Sequence, residues 1–519
     1  MSSPFAAYNN SMGTTVSSIA RGPITISIML ASTMNTLDTT IANVALPHMQ
    51  GSLSASQDQI TWVLTSYIVA QALMTPLTGW LAGRIGRRHL MLVSIAGFTV
   101  ASAACGIATS LTEIVLFRVL QGIFGASFIP LSQAILFDIN PPQRYPQAMA
   151  MFGAGVVLGP VVGPALGGWL TDAFDWRWVF LINLPVGLLA FGGTWLTLPE
   201  HKAETSRPFD LAGFGALALF IAAIQLFLDR GPGQDWFESW EIWIDFALAG
   251  LGLYLFVILT ATSEHPFFSR GLLLDANFMT GCFVGFATGV LLYSAMALLP
   301  PLMQQLLGYP VVTTGIVTMP RGVGMFFSMF LVGRLLHYID VRLVLLTGLA
   351  LNALALWQMT WFTLEMDSHL VVTSGFIQGF GIGLIFVPLS TLAFSSVSTA
   401  LRTEASSIFT LVRNLGSSAG ISVMQALFAR NVQVAHASLA EGARLDNPNF
   451  QSMGSASFNL NSLDGMLALN GEITRQAAMI SYIDDFYFVM ALSICAMPLV
   501  LLLRPPKFVT AEDANALVE

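Results

Sequence analysis

The sequence predicts an all-α polytopic membrane protein with fourteen transmembrane spans. Mean hydropathy is +0.71 and only 10% of the 519 residues are charged, whereas soluble domains carry about 25%. Fourteen apolar runs each come close to the roughly 20 residues that cross about 30 Å of hydrocarbon. Two segments of the first half of the chain also recur in the second. The apolar content excludes disorder. A net charge of −8 without a basic stripe excludes a nucleic-acid partner. Cys105, Cys282 and Cys495 all lie in apolar runs, so no disulfide framework is expected.

The first six runs are about 24–46, 60–82, 90–109, 113–137, 147–170 and 178–198. Behind a segment 1–23 they make a six-helix unit over 24–198. A polar connection follows, and then two extra runs, 211–228 (the shortest) and 241–262, which complete a linker unit 199–262. The last six runs, 276–299, 311–333, 342–361, 368–394, 406–429 and 485–503, belong to a unit 263–503. Between its last two runs lies a polar loop, 431–484, with too little apolar area for a core of its own. Residues 504–519 form an acidic tail.

Orientation follows from Lys and Arg, which collect in cytoplasmic loops. With the N-terminus inside, 13 of the 21 basic residues are cytoplasmic and 5 are outside, while Arg118, Arg321 and Arg413 lie within runs. Both termini are therefore expected in the cytoplasm and loop 431–484 outside. The first residues lack a basic segment followed by an apolar one, so no cleavable signal is expected and the first span serves as its own insertion signal.

Asp38 sits about 12 Å below the outer end of the first run. A carboxylate at such depth is expensive, and it either carries protons, lines a cavity or bonds a neighbouring helix. Asn35 shares its helical face and Thr39 borders it. Arg118 enters the fourth run at a similar depth, so the two are expected to meet across a central cavity. An arginine cannot release a proton; its expected role is to bias the carboxylate or hold water, the alternative being a side chain snorkelling outward. In the fifth run Gly155, Gly159, Gly163 and Gly167 fall on one face at four-residue spacing, with Pro160 and Pro164 as bending points. Such a face admits close helix approach and is expected at the contact between halves. Arg321 follows Pro320 near the middle of the tenth run, where Pro and Gly can break a helix that lines a cavity; it is expected in substrate binding or gating, the alternative being a buried structural pair, and Arg413 with Asn414 reads as mainly structural. Asn35, Tyr67, Gln71, Gln121 and Gln378, with Met74, Met296, Met303 and Phe386, are further candidates for a substrate-lining surface, the alternative at each apolar position being plain core packing.

Enzyme chemistry is not expected. The seven histidines lie in loops or at run ends without paired metal-ligand spacing, and no Walker-type phosphate loop is present. No cofactor is expected, and an ion gradient must supply the energy.

Two internal echoes support related halves. Leu120-Gln121-Gly122 and Ile129-Pro130-Leu131-Ser132 match Ile377-Gln378-Gly379 and Val387-Pro388-Leu389-Ser390, while the loop Gly79–Arg88 matches Gly333–Arg342. Repeats of this kind place a site near the midplane between halves. Arg118 pairs with Gly375 in this alignment, so its charge belongs to one half.

The segment Leu37-Asp38-Thr39-Thr40-Ile41-Ala42-Asn43-Val44-Ala45-Leu46-Pro47 resembles the first-span signature of the 14-span drug:proton antiporters of the major facilitator superfamily. The loop motif Gly79, Arg84, Gly86, Arg87 and Arg88, the fourth-span segment Arg118–Gly122 and the fifth-span segment Gly155–Pro164 resemble further motifs of that family. The echo at Gly333–Arg342 and the Pro-Leu-Ser of span twelve are most similar to its EmrB/QacA-like members, the EmrB subgroup above all. The resemblance implies a major facilitator fold of two six-helix halves plus two extra helices in the bacterial inner membrane. It implies proton-driven efflux of small hydrophobic, drug-like substrates, as the inner-membrane part of a tripartite pump with a periplasmic membrane-fusion adaptor (EmrA-like) and an outer-membrane channel. The alternative is a proton-coupled exporter or importer of one metabolite. Gly83 stands where the family's loop motif usually has Asp, which puts that version of its charge latch in doubt.

Overall fold

The computed structural model describes residues 18–141, 144–199, 208–336, 338–443 and 462–503. Among them every one of the fourteen apolar runs is helical. In chain order the passages are α1 (Ser18–Ser52), α2 (Trp62–Met74 and Leu77–Ile85), α3 (Arg87–Ile107), α4 (Leu111–Gly125 and Phe128–Ile139), α5 (Tyr145–Ala173), α6 (Trp178–Leu181 and Asn183–Thr197) and α7 (Leu211–Arg230). Then come α8 (Trp240–Thr262), α9 (Ala276–Pro301), α10 (Val311–Leu335), α11 (Val341–Met359), α12 (Ser368–Ala393), α13 (Arg402–Gly442) and α14 (Leu463–Leu502). Eleven helices among the described residues are long and apolar enough to cross a membrane. The other three passages differ for visible reasons. α2 is divided beside Pro76, whose missing N–H interrupts the helical ladder, and α1 and α13 dilute their apolar runs with Ser, Thr and Asn.

Helix pairing repeats with a shift of eight passages. α1 packs on α5 and α6, α2 on α4, and α3 on α4 and α6; likewise α9 packs on α13 and α14, α10 on α12, and α11 on α12 and α14. Two six-helix units of one design therefore face each other. The main seam between them is α5 against α10, and its repeat-related counterpart sets α13 against the second piece of α2. α7 and α8 pair with each other, and α7 bridges the units: the Thr65 hydroxyl donates to Asp229 at 2.6 Å, and the Gln225 amide donates to Ser418 at 2.9 Å.

The polar connection 431–484 is largely helical. α13 continues to Gly442 and α14 begins at Leu463, with 444–461 outside the described residues. Each extension carries its helix about 20 Å or more past the apolar run. His436 meets Asn470 across the two arms at 3.1 Å. Ala, Leu, Gln and Met are strong helix formers, and the Ser462 side chain caps α14 by accepting from the Gly465 N–H. Polarity predicted the water exposure of these arms but not their order.

Candidate functional site

Asp38 and Arg118 do meet, fully enclosed within the first unit rather than across an open space. Their side chains are 0% exposed, and Arg118 Nη1 donates to Asp38 Oδ2 at 2.5 Å. The other carboxylate oxygen accepts from Gln121 Nε2 at 2.7 Å and from Asn183 Nδ2 at 2.8 Å. Arg118 also donates to Gln121 Oε1 at 2.9 Å and, through Nε, to the Val63 carbonyl at 2.9 Å. Its guanidinium carbon lies 4.1 Å from the Tyr67 ring centre, a cation–π contact without water between. Asn183 is held in turn by Ser102, whose hydroxyl donates to the Phe180 carbonyl. Helices α1, α2, α3, α4 and α6 thus all converge on one carboxyl group.

A second cluster lies beside the first. The Tyr67 hydroxyl donates to Asn35 Oδ1, and Gln71 Nε2 reaches the same oxygen at 3.3 Å. Gln121, expected on a substrate-lining surface, is instead a direct partner of Asp38. Asn183 and Ser102 were missed by sequence reasoning. Their signal was present: an amide and a hydroxyl inside apolar runs need partners there.

The glycine stripe of α5 faces α1 of its own unit, not the contact between units where it was expected. A Cβ on Gly159 would stand 2.7 Å from the Leu37 backbone nitrogen, and one on Gly163 only 2.1 Å from the Thr40 hydroxyl. The prolines explain the polar side of this contact. Pro160 has no N–H to give the Val156 carbonyl, and the Thr36 hydroxyl donates to that carbonyl at 3.0 Å instead. Thr33 and Thr40 bond the carbonyls of Gly155 and Gly159. The helix carrying Asp38 is therefore tied to α5 on both sides of the acid. Contact with the other unit falls to a different face of α5, where Val161 presses on Gly322 and Gly153 adjoins Met329 and Phe386.

The loop motif forms one end of the seam. Gly86 has φ 83° and links the second piece of α2 to α3, a conformation that glycine adopts without strain. Gly79 abuts Glu404 of α13, and its echo Gly333 lies against Gln147 and Ala150 of α5. Each unit thus offers a glycine to the other. Asp138 stands between the units: Arg87 pairs with it from the first, and Arg402 donates to it at 3.2 Å and to the Tyr145 hydroxyl at 2.8 Å from the second. The latch placed in doubt by Gly83 is built here around Asp138 and Arg402, and the space beside Gly83 is open. Arg84 lies over Trp80 and Arg88 bonds the Trp195 carbonyl. Both stay within the first unit.

The Gln-Gly echo is also spatial. Gly122 of α4 packs on the Tyr67 carbonyl of α2, and Gly379 of α12 packs on the Arg321 carbonyl of α10. Arg321 therefore occupies in the second unit the place of Tyr67 in the first. It donates to the Leu292 carbonyl at 3.0 Å. Arg413 lies over the Phe386 ring, 5.6 Å from its centre, and Gln378 is fully buried.

Two repeated six-helix units, one enclosing a buried acid and both meeting along a seam tied by the Asp138–Arg402 pair, define a membrane transporter of the two-bundle class. Residues 28–421 match the family described as Major Facilitator Superfamily, and the chain belongs to that family. It is similar to the multidrug export protein EmrB of Escherichia coli strain K12, with 34% identity over 93% of this chain and 95% of that protein. The fatty acid resistance protein FarB of Neisseria gonorrhoeae is 35% identical over 93% and 96% of the two chains. The multidrug transporter protein MdtP of Bacillus subtilis strain 168 is 30% identical over 77% and 74%. Among solved structures, the proton:xylose symporter XylE shares the fold at a TM-score of 0.63 and 13% identity, over 97% of this chain and 100% of that one. The human organic anion transporter MFSD10 does so at 0.59 and 16%, over 91% and 99%.

Proposed function

We propose that this chain is a proton-driven multidrug exporter of hydrophobic and amphipathic compounds, working by alternating access in the bacterial inner membrane with both termini in the cytoplasm. The observation that carries the proposal is the carboxyl group of Asp38 enclosed at membrane depth. Such a group costs about 2.5 kcal/mol or more on insertion scales and marks proton relays and transport pathways. The full-length likeness to multidrug export proteins supports the same conclusion.

The mechanism follows from hydrogen-bond bookkeeping at that group. Asp38 accepts from Arg118, Gln121 and Asn183, an acceptor-only arrangement that suits the ionised form. A proton arriving from outside turns one oxygen into a donor and displaces one of these partners. Release of Arg118 loosens α1 from α4, and the threonines on α1 pass the shift to α5 and its seam with α10. With the Arg-rich loop motif on the cytoplasmic side, the described conformation is closed toward the cytoplasm. Opening of the Asp138 latch then admits substrate and lets the proton leave inward. One proton crossing about 150 mV supplies about 3.5 kcal/mol, enough to sustain a gradient of a few hundredfold for a neutral substrate at about 1.4 kcal/mol per decade. No cofactor is needed. A periplasmic adaptor and an outer-membrane channel would complete the path, with the helical arms of α13 and α14 as the docking surface.

The test is uphill export in inverted membrane vesicles. Asp38→Asn is expected to abolish accumulation driven by a proton gradient while the protein remains in the membrane. Unchanged accumulation by that variant would remove Asp38 from the coupling mechanism.

A further inference from the structure

Among the described residues two acids are almost completely enclosed, Asp38 in the first unit and Asp485 in the second, each 1% exposed. Their surroundings are opposite. Asp38 accepts hydrogen bonds from Arg118, Gln121 and Asn183, whereas neither carboxyl oxygen of Asp485 has any partner. Buried polar groups are normally paired. An isolated carboxylate taken out of water is so costly that it binds a proton instead, which leaves a neutral acid.

Asp485 stands where the apolar run of α14 begins, and its walls are made of rings. Tyr482, three residues earlier on the same helix face, meets Phe428 of α13 with ring centres 4.4 Å apart, and Phe486 meets Phe362 just beyond α11 at 5.7 Å. Ser481 on that face donates its hydroxyl to the Ala477 carbonyl at 2.8 Å. α14 packs on α13, α11, α9 and the turn Leu302–Leu306, and none of them brings a cation to the acid. Arg430 of α13, Glu365 beyond α11 and the adjacent Asp484 are exposed. On α13, His436 lies about two turns past Phe428 and bonds Asn470, while Arg413 lies about four turns before it. α11 has only Arg342, at its opposite end, α9 has Cys282 and Tyr293, and the turn has no ionisable group. Arg475 of α14 pairs with Glu472 about three turns away. Among the described residues no three metal-ligating side chains gather, so the ligand that this acid fits is a proton.

We infer that Asp485 is a second proton-binding site, separate from Asp38 and occupied in this conformation, and that its proton keeps α14 packed against the second unit. Loss of the proton leaves a charge among Tyr482, Phe486 and the helices around them. That charge is relieved only by water, which must part α14 from its neighbours to reach it. In the orientation proposed above this is the outer end of the unit, where the arms of α13 and α14 begin. The attachment of the arms therefore responds to acidity on that side, whatever the protein transports.

The test is infrared spectroscopy and amide hydrogen exchange on the full chain in lipid nanodiscs. At neutral pH the wild type should show the carbonyl band of a protonated carboxyl group. Asp485→Asn, which has the shape of the neutral acid, should lose that band, Asp485→Glu should displace it, and Asp484→Asn should keep it. As the pH is raised, the band should disappear, and protection of amides 477–489, corrected for the intrinsic rate, should fall about tenfold or more in the wild type. In Asp485→Asn the protection should stay constant. A wild type without a protonated-carboxyl band at neutral pH overturns the inference even if a variant fails to fold. Equal pH dependence of protection in the wild type and Asp485→Asn overturns it too, and so does a band that appears only when sodium is replaced by choline, since the site would then take a metal cation. Proton-driven accumulation in inverted vesicles is measured separately, so failure of the export function and failure of this site are distinguishable.

Discussion

Arg118 and Arg321 are both arginines deep inside the bundle, in units that share one pattern of helix pairing, and they end in opposite conditions. Arg118 is completely enclosed and bonded to a carboxylate, an amide and a carbonyl, whereas Arg321 is half-buried and bonded to one carbonyl. The contrast separates two uses of an expensive group. A cation closed on an acid forms a two-state element, because a proton on the acid breaks the pair. A cation bonded to a single carbonyl has no such proton-sensitive partner. One helix packing accommodates both because the glycine contacts that set helix spacing correspond in the two units while the polar side chains differ.

The largest expected effect comes from breaking the first condition. Asp38→Asn leaves Arg118 buried without its counter-charge, and removing one partner of a buried pair typically costs about 3–5 kcal/mol. Proton-driven export should fall to the level of vesicles lacking the protein, and thermal unfolding should begin earlier. Arg118→Lys comes next: part of the export activity should survive because a charge remains, although the planar fork that also reaches Gln121 and the Val63 carbonyl is lost. Arg118→Ala should abolish coupling and displace the pH profile of substrate binding. Normal transport by Arg118→Ala would mean that the arginine is only a structural partner.

Smaller effects lie at the seam. Arg402→Ala releases Asp138 and Tyr145 from the second unit and should shift the balance of conformations by about 1–2 kcal/mol. Hydrogen exchange in the first turns of α13 and in the Gly79–Arg88 loop should rise accordingly, and an unaltered exchange pattern would exclude the latch. Thr36→Val strands the Val156 carbonyl that Pro160 leaves free. The expected loss is about 1 kcal/mol, read as a modest fall in the unfolding midpoint. Deletion of about 440–470 should leave vesicle transport unchanged, while co-purification with a periplasmic adaptor and whole-cell resistance both decline. Unaffected adaptor binding would move the docking surface to the bundle itself.

Sequence reasoning reached the acid, its arginine and the loop motif because each is a charged or glycine-rich exception in an apolar chain. It placed Gln121 in the wrong company, since a glutamine three residues after Arg118 can face a cavity or an acid with equal ease. It overlooked Asp138, Arg402 and Asn183 for a related reason. Each lies at or near a helix end, or among apolar neighbours, where its partner is contributed by a helix far away in the chain. The arms at 431–442 and 463–484 were legible as water-exposed, but their helicity resides in Ala- and Leu-rich propensity that a hydropathy reading suppresses.

The sequence by itself determined the fourteen helical passages, the relation between the two halves and which charges stand inside apolar runs. Those properties follow from transfer of side chains into hydrocarbon, which acts on every residue where it stands in the chain. Tertiary structure alone decided which side chains became partners. The α5 glycines meet α1 and not the opposite unit, and Asp38 draws donors from α4 and α6 together. The same packing leaves Arg321 and Gln378 without an acid. Hydrogen bonds and ion pairs act over about 3 Å, so their outcome depends on how helices are rotated against one another, and that rotation is set by contacts between segments 80 to 120 residues apart.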